Sequence, residues 1–232
     1  AITNGAKNVA PIAIACAAAG IIAGTLSITG LGSKISSLII YASSGIPILA
    51  LFLTMITAII LGMGLPTTAA YLVLATVVAP ALTKLDVPML TAHMFVFYYG
   101  CLSTITPPVA LSSFVAAGIS GAKINEVGWT AFSYGISSYI VPFVFFFGPG
   151  LFLEGELIDI VITVITAFVG IYLISSSVVG YYKKEINYFT RILFFTSGLF
   201  LMLQGYSFDL IGAIIFILWF FYQKFNFKNK EK

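Results

Sequence analysis

Two stretches of this 232-residue chain gather hydroxyls, glycines and prolines inside apolar surroundings. The first is Gly62-Met63-Gly64-Leu65-Pro66-Thr67-Thr68, and the second is Ser103-Thr104-Ile105-Thr106-Pro107-Pro108. Neither contains a carboxylate, a lysine or an arginine. They offer backbone carbonyls released where Gly and Pro interrupt a helix, and the hydroxyls of Thr67, Thr68, Ser103, Thr104 and Thr106. Neutral oxygens of this kind suit a hard alkali cation, whose hydration shell they replace. The helix N-termini that follow each break present N–H groups and a positive dipole end to an anionic substrate. A proton relay would instead bring Asp, Glu or His chains into the membrane. The residues therefore favour sodium-coupled binding of a carboxylate compound over proton coupling.

The segments that hold these breaks must be membrane elements. The chain is 60% hydrophobic and 8% charged, with a mean hydropathy of +1.08, whereas soluble domains carry about 25% charged residues. That composition gives an all-α, polytopic membrane protein. In hydrocarbon an unsatisfied backbone group costs several kcal/mol, so an unwound segment survives only where protein, water or ligand satisfies it. Ser, Thr and Gly are also ordinary packing residues in membrane helices, and one proline often only kinks its helix. Two proline-bearing breaks in consecutive apolar segments go further, and point to a transporter's central binding site.

Along the chain, a first span is expected over residues 9–28, with Gly20 and Gly24 in the spacing that lets helices approach closely. Residues 33–44 read as an interfacial or connecting helix. The run 46–82, broken at 62–66, has limbs of about 16 residues, or about 24 Å, short for a full crossing. It reads as a re-entrant hairpin. Lys84 and Asp86 mark water, and 89–119 reads as one crossing helix broken at 103–108, because Pro107 and Pro108 remove two consecutive donors. A span at 129–147 and another at 160–179 flank Glu154, Glu156 and Asp159. Two shorter stretches, 192–203 and 210–222, form an expected helical hairpin around Gly205 and Asp209. The expected division is a transport region over 1–157 and accessory membrane helices with a basic tail over 158–232.

Lysine and arginine in short loops set the orientation. Lys183, Lys184 and Arg191 cluster in one loop, and Lys224, Lys228, Lys230 and Lys232 at the terminus, so both are assigned to the cytoplasm. That places Glu154 to Asp159 outside, Lys123 and Lys7 inside, and the mouth of the 46–82 hairpin outside. Lys34 alone disagrees. The net charge of +3 comes largely from the tail, and no basic stripe interleaved with aromatics marks a nucleic-acid partner. With no initiator Met and no basic segment ahead of the first apolar run, the chain is expected to be a piece of a longer polypeptide.

The remaining chemistry-bearing residues have plainer roles. Cys16 and Cys101 read as small buried hydrophobes, and no Cys/His set suggests a disulfide framework or a metal centre beyond sodium. His93 reads as a satisfied interfacial histidine, and Tyr98, Tyr99 and Trp129 as packing or belt aromatics. A channel would need a continuous polar path, whereas the polar residues fall in two patches. An intramembrane hydrolase using Ser103 or Cys101 with His93 would require reach across ten residues, about 15 Å along a helix, far beyond a hydrogen bond. The chain is accordingly read as a transporter part and not an enzyme, with a channel, or an assembly subunit inactive without its missing repeat, as the alternatives.

At the two breaks the chain also resembles a known family. GMGLPTTAAYLVLATVVAPAL and HMFVFYYGCLSTITPPVALSSFVAAGISGA resemble the second half of the large membrane subunit of TRAP transporters, the tripartite ATP-independent periplasmic transporters. STITPPVALSSF is similar to the family's ITPPVG-type loop, with Ala110 where many members have glycine. NGAKNVAPIAIACAAAGIIAG and the SFDLIGA element resemble the fused branch that works with TAXI-type binding proteins. The resemblance implies an elevator-type secondary transporter of the bacterial or archaeal inner membrane, built from inverted repeats. Each repeat contributes a hairpin and a broken helix, and these residues hold one of them. It further implies sodium-driven import of organic anions handed over by a periplasmic solute-binding protein. A small membrane subunit or its fused equivalent and the missing first repeat would be its partners, lipid its surroundings, and sodium its coupling ion with no other cofactor. By the same resemblance, one sodium site lies among Gly62, Gly64, Thr67, Thr68, Ser103, Thr104 and Thr106, and substrate contact comes chiefly from Pro66, Thr67, Thr106 and Pro107.

Overall fold

A computed structural model describes residues 2–203 and 205–228, with side chains described from residue 13 to 219 apart from 15, 149 and 204. The chain forms two compact units, residues 1–135 and 136–232. Lys7 and the basic tail of Lys224, Lys228, Lys230 and Lys232 lie outside the residues whose side chains are described.

The first unit holds α1 (Ile2–Ile28), α2 (Leu31–Ala42), α3 (Pro47–Gly62), α4 (Thr67–Val77), α5 (Ala79–Thr83), α6 (Met89–Leu102), α7 (Leu111–Ser120) and α8 (Ile124–Gly135). Gly30, at φ +67, ends α1 in the left-handed conformation that glycine adopts at no steric cost, and α2 leaves at an angle of 70°. Helices α3 and α4 are the limbs of the expected hairpin. The second limb is divided at Val78, a feature the sequence reading missed. Pro80 has no N–H to donate to Thr76, and the N–H of Ala81 turns to Val78 O at 3.0 Å. The carbonyl of Val77 is taken up by Ser36 Oγ of α2, which donates to it at 2.9 Å in a buried position.

Helix α4 is the hub of this unit, packed against α1, α2, α3 and α6. Its buried Ala69, Ala70, Val73, Leu74 and Val77 follow the three- and four-residue spacing of a helical stripe. On α6 the buried stripe includes Phe95 and Tyr99, whose rings meet edge to face at 4.9 Å. Helix α3 carries two stripes. Ala50, Leu51, Thr54, Ala58 and Gly62 face protein, while Ile48, Leu49, Phe52, Ile56 and Ile60 are exposed. An exposed stripe made wholly of large apolar side chains suits hydrocarbon rather than water.

The second unit holds a 3-10 turn at Ile136–Tyr139, α9 (Val141–Phe147), a further 3-10 turn at Pro149–Phe152, α10 (Leu157–Val179), α11 (Tyr188–Met202) and α12 (Tyr206–Lys228). Between α10 and α11 a tight antiparallel ribbon pairs β1 (Tyr181–Tyr182) with β2 (Lys184–Glu185). This ribbon is the one departure from all-α structure among the described residues. Arg191, read from sequence as a loop cation, lies in the first turn of α11. Its guanidinium donates to Val178 O at 2.8 Å, so it serves the exposed carbonyls at the end of α10.

Helices α10, α11 and α12 touch backbone to backbone. A Cβ on Gly170 would fall 2.9 Å from Gly198 O, one on Gly198 2.7 Å from Gly170 O, and one on Gly212 2.9 Å from Ser197 O. Small residues at such crossings are what permit close helix approach in a membrane. An aromatic cluster of Tyr182, Phe194, Phe216 and Trp219 fills the neighbouring core, and Trp219 Nε1 donates to Thr190 Oγ1 at 3.3 Å. By length and composition two helical segments can cross a membrane, Ile124–Phe147 and Leu157–Val179, and a third if the bent α1–α2 pair counts as one span. The first of these begins five residues ahead of the expected 129. Lys123 and Glu126, taken from sequence as a solvated connection, form a 3.0 Å ion pair at its mouth, with Glu126 already inside α8.

Candidate functional site

The hairpin tip is built by three residues with incompatible demands. Helix α3 ends at Gly62, Met63 is extended, and Gly64 adopts φ +76, a conformation side chains resist. Leu65 N–H closes the turn on Gly62 O at 3.2 Å. Pro66 then caps α4, and its carbonyl accepts from Ala70 N–H at 2.9 Å. Thr67 and Thr68 form the first turn of α4, and both are exposed.

The second break follows α6 as a 3-10 turn over Ser103–Ile105, and the chain resumes a helix only at Leu111. The Pro107–Pro108 peptide bond is cis. Three hydroxyls donate backwards into the end of α6. Ser103 Oγ bonds Gly100 O at 2.8 Å, Thr104 Oγ1 bonds Cys101 O at 2.8 Å, and Thr106 Oγ1 bonds Leu102 O at 2.7 Å. All three residues are buried. These bonds add side-chain donors to the carbonyls at the end of α6, where the regular ladder stops. A hydroxyl that donates its one proton keeps its lone pairs as acceptors. The break is therefore a cluster of oxygen lone pairs at the negative end of a helix dipole, an environment that favours a cation.

The two breaks meet. A Cβ on Gly62 would lie 2.6 Å from Ser103 Oγ and 3.0 Å from Ser103 Cβ, and one on Gly64 would lie 3.4 Å from Val109 Cγ1. Behind them Gly100 admits α4, since a Cβ there would stand 3.2 Å from Leu74 Cδ1 and 3.6 Å from Ala70 Cβ. Of the sequence-selected residues, Gly62 and Ser103 are thus in direct apposition, and Gly64 faces the 106–110 segment. Thr104 and Thr106 sit on the same turn as Ser103, while Thr67 and Thr68 stand at the exposed edge of the tip.

His93 Nδ1 pairs with Tyr71 Oη at 3.0 Å, joining α6 to α4, and Ser103 Oγ is committed to Gly100 O. The two side chains have separate partners. Beyond the break, Pro107 and Pro108 wall a cavity of about 240 Å³ with Phe114, Asn125 and Trp129. Helix α8 lies alongside here, and a Cβ on Gly128 would stand 3.9 Å from Pro107 Cγ, an ordinary contact distance. Sequence reading missed Gly100 and Gly128, whose roles depend on partners distant along the chain. Nor did it select Asn125, which carries no spacing signal of its own.

Residues 1–157 match the model of the family described as tripartite ATP-independent periplasmic transporter, DctM component. The chain belongs to the DctM family. No curated protein and no solved structure matches it. The family is one of TRAP-type secondary transporters, not of enzymes, and both breaks fall within the matched residues. This DctM-family chain is thus a multi-pass membrane protein whose hairpin tip and helix break pack against each other.

Proposed function

We propose that this chain is part of a sodium-coupled permease of the fused TAXI-type branch in a bacterial or archaeal inner membrane. It imports an organic anion, a carboxylate, delivered by a periplasmic solute-binding protein. The apposition of Gly62 with Ser103 carries the reading. It brings the hairpin tip onto a turn rich in hydroxyl oxygens, whose protons are donated inward to carbonyls of α6. Sodium takes oxygens from Gly62, Gly64, Thr67, Thr68, Ser103, Thr104 and Thr106. Its charge then holds the carboxylate against Pro66, Thr67, Thr106 and Pro107, which balances charge within the low-dielectric site. The other half of the site comes from a second hairpin and broken helix elsewhere in the permease, and the small membrane subunit or its fused equivalent completes the assembly. Transport proceeds by an elevator movement of the paired breaks.

The test is uptake by the full-length permease, reconstituted with its binding protein, under imposed gradients. Uptake is expected with an inward sodium gradient alone. Equal uptake driven by potassium or by protons would sink the coupling.

A further inference from the structure

We infer that the ribbon joining α10 to α11 is a binding site for the phosphate of an anionic phospholipid headgroup. Among the described side chains of the second unit, lysine, arginine and the acids are segregated toward opposite ends of α10. Lys183, Lys184 and Arg191 follow its C-terminal end, with Glu185 the one described acid beside them in sequence. Glu154, Glu156 and Asp159 lie at its N-terminal end, where the Tyr206 hydroxyl donates to Asp159. The helix between them has 23 residues, about 34 Å, close to the thickness of a bilayer's hydrocarbon core. One end of α10 thus meets a membrane surface as a basic element and the other as an acidic one.

The basic end is built, not loose. Gly180 closes α10 at φ +80, Ile186 N–H returns to Gly180 O at 3.0 Å, and the Tyr181 hydroxyl donates to Lys183 O at 3.1 Å. Lys183 takes the apex at φ +58, and both lysines are exposed. Arg191 lies flat over Gly180, where any Cβ would collide with its guanidinium, and donates to Val178 O. Its Nε is buried and has no hydrogen-bond partner. Arg191 thus fixes the end of α10 from within, and the two exposed lysines on the ribbon present the positive charge that a phosphate would meet.

The rim selects a lipid over a soluble phosphate. Tyr181, Tyr188 and Phe189 are exposed around the ribbon, as interfacial aromatics are. They continue into the exposed apolar stripe of Ile158, Val161, Ile165, Phe168, Tyr172 and Val179 along α10. A headgroup held at the ribbon would lay its acyl chains on that stripe, while juxtamembrane cations attract the anionic leaflet.

The experiment places the full-length permease in phosphatidylcholine nanodiscs containing a minor fraction of phosphatidylglycerol, and counts co-purifying lipids by native mass spectrometry. Phosphatidylglycerol should be retained several-fold above its share, and the preference should fall toward unity at high salt and in the Lys183→Gln/Lys184→Gln variant. A Lys123→Gln variant, in the first unit, should keep the preference. Matching thermal unfolding of the variants shows that the fold survives. Equal retention of the two lipids by the unaltered protein, or an unchanged preference in the double variant, overturns the assignment. Displacement of the lipid by soluble glycerol phosphate would show a phosphate site with no lipid selectivity, and would overturn it too. Transport plays no part in the readout, so the outcome is independent of the sodium reading.

Discussion

Gly62 and Ser103 occupy space that only one side chain can fill. The hydroxyl of Ser103 stands 2.6 Å from where a Cβ on residue 62 would be, closer than real Cβ contacts come. Gly62→Ala should therefore push the hairpin tip off the break and lower uptake by an order of magnitude or more. Adding Ser103→Gly to Gly62→Ala removes the colliding group, and should recover part of the loss. Contacting residues typically couple by about 0.5–3 kcal/mol, so a double-mutant cycle on sodium-driven uptake measures the contact directly. Additive losses would show that the two residues do not act through each other.

Thr106 separates the cation role from the structural one. Thr106→Val keeps shape but deletes the oxygen and removes the buried hydrogen bond from its hydroxyl to Leu102 O. The expected cost to stability is about 1–3 kcal/mol, seen as a lower unfolding temperature. If the oxygen also binds sodium, half-saturating sodium rises about tenfold, which corresponds to about 1.4 kcal/mol. Thr106→Ser should restore both.

The second unit offers a control that touches none of the proposed sodium-site residues. Gly198→Ala places a methyl 2.7 Å from Gly170 O, against rigid backbone. Over-packing of this kind costs about 1–3 kcal/mol. Thermal unfolding should shift down, while the sodium concentration for half-maximal uptake stays unchanged in the protein that remains folded.

Ser36→Ala strips the hydroxyl that satisfies Val77 O. A buried carbonyl left unpaired costs about 1–3 kcal/mol. The loss should be local, with faster amide exchange at Ala81 and neighbours in α5, because the helical ladder is already interrupted at Val78.

Much of this architecture could be read from composition and punctuation. Pro and Gly mark where helices stop, so Gly62, Pro66 and Pro107 located the hairpin tip and the break within a residue or two. Pairwise contacts were not legible. Nothing in the sequence says that Gly62 meets Ser103, or that Gly128 of α8 lies beside Pro107, since those facts arise from packing between distant segments. Pro80 was passed over because a proline at the first turn of a helix leaves the apolar pattern intact. Arg191 was misplaced for the opposite reason. A cation near a span end looks like a loop charge, and only the structure reveals the carbonyl it serves.

The inward-pointing protons of Ser103, Thr104 and Thr106 have an electrical consequence. A break lined by neutral oxygens brings no ionised side chain into the membrane field, only the partial charges of its helix ends. A charge moved fully across the membrane is worth about 2.3 kcal/mol per 100 mV. In the proposed transport, the voltage sensitivity that these two breaks contribute would enter with the cargo, and an empty return would move no ionised side chain from either break.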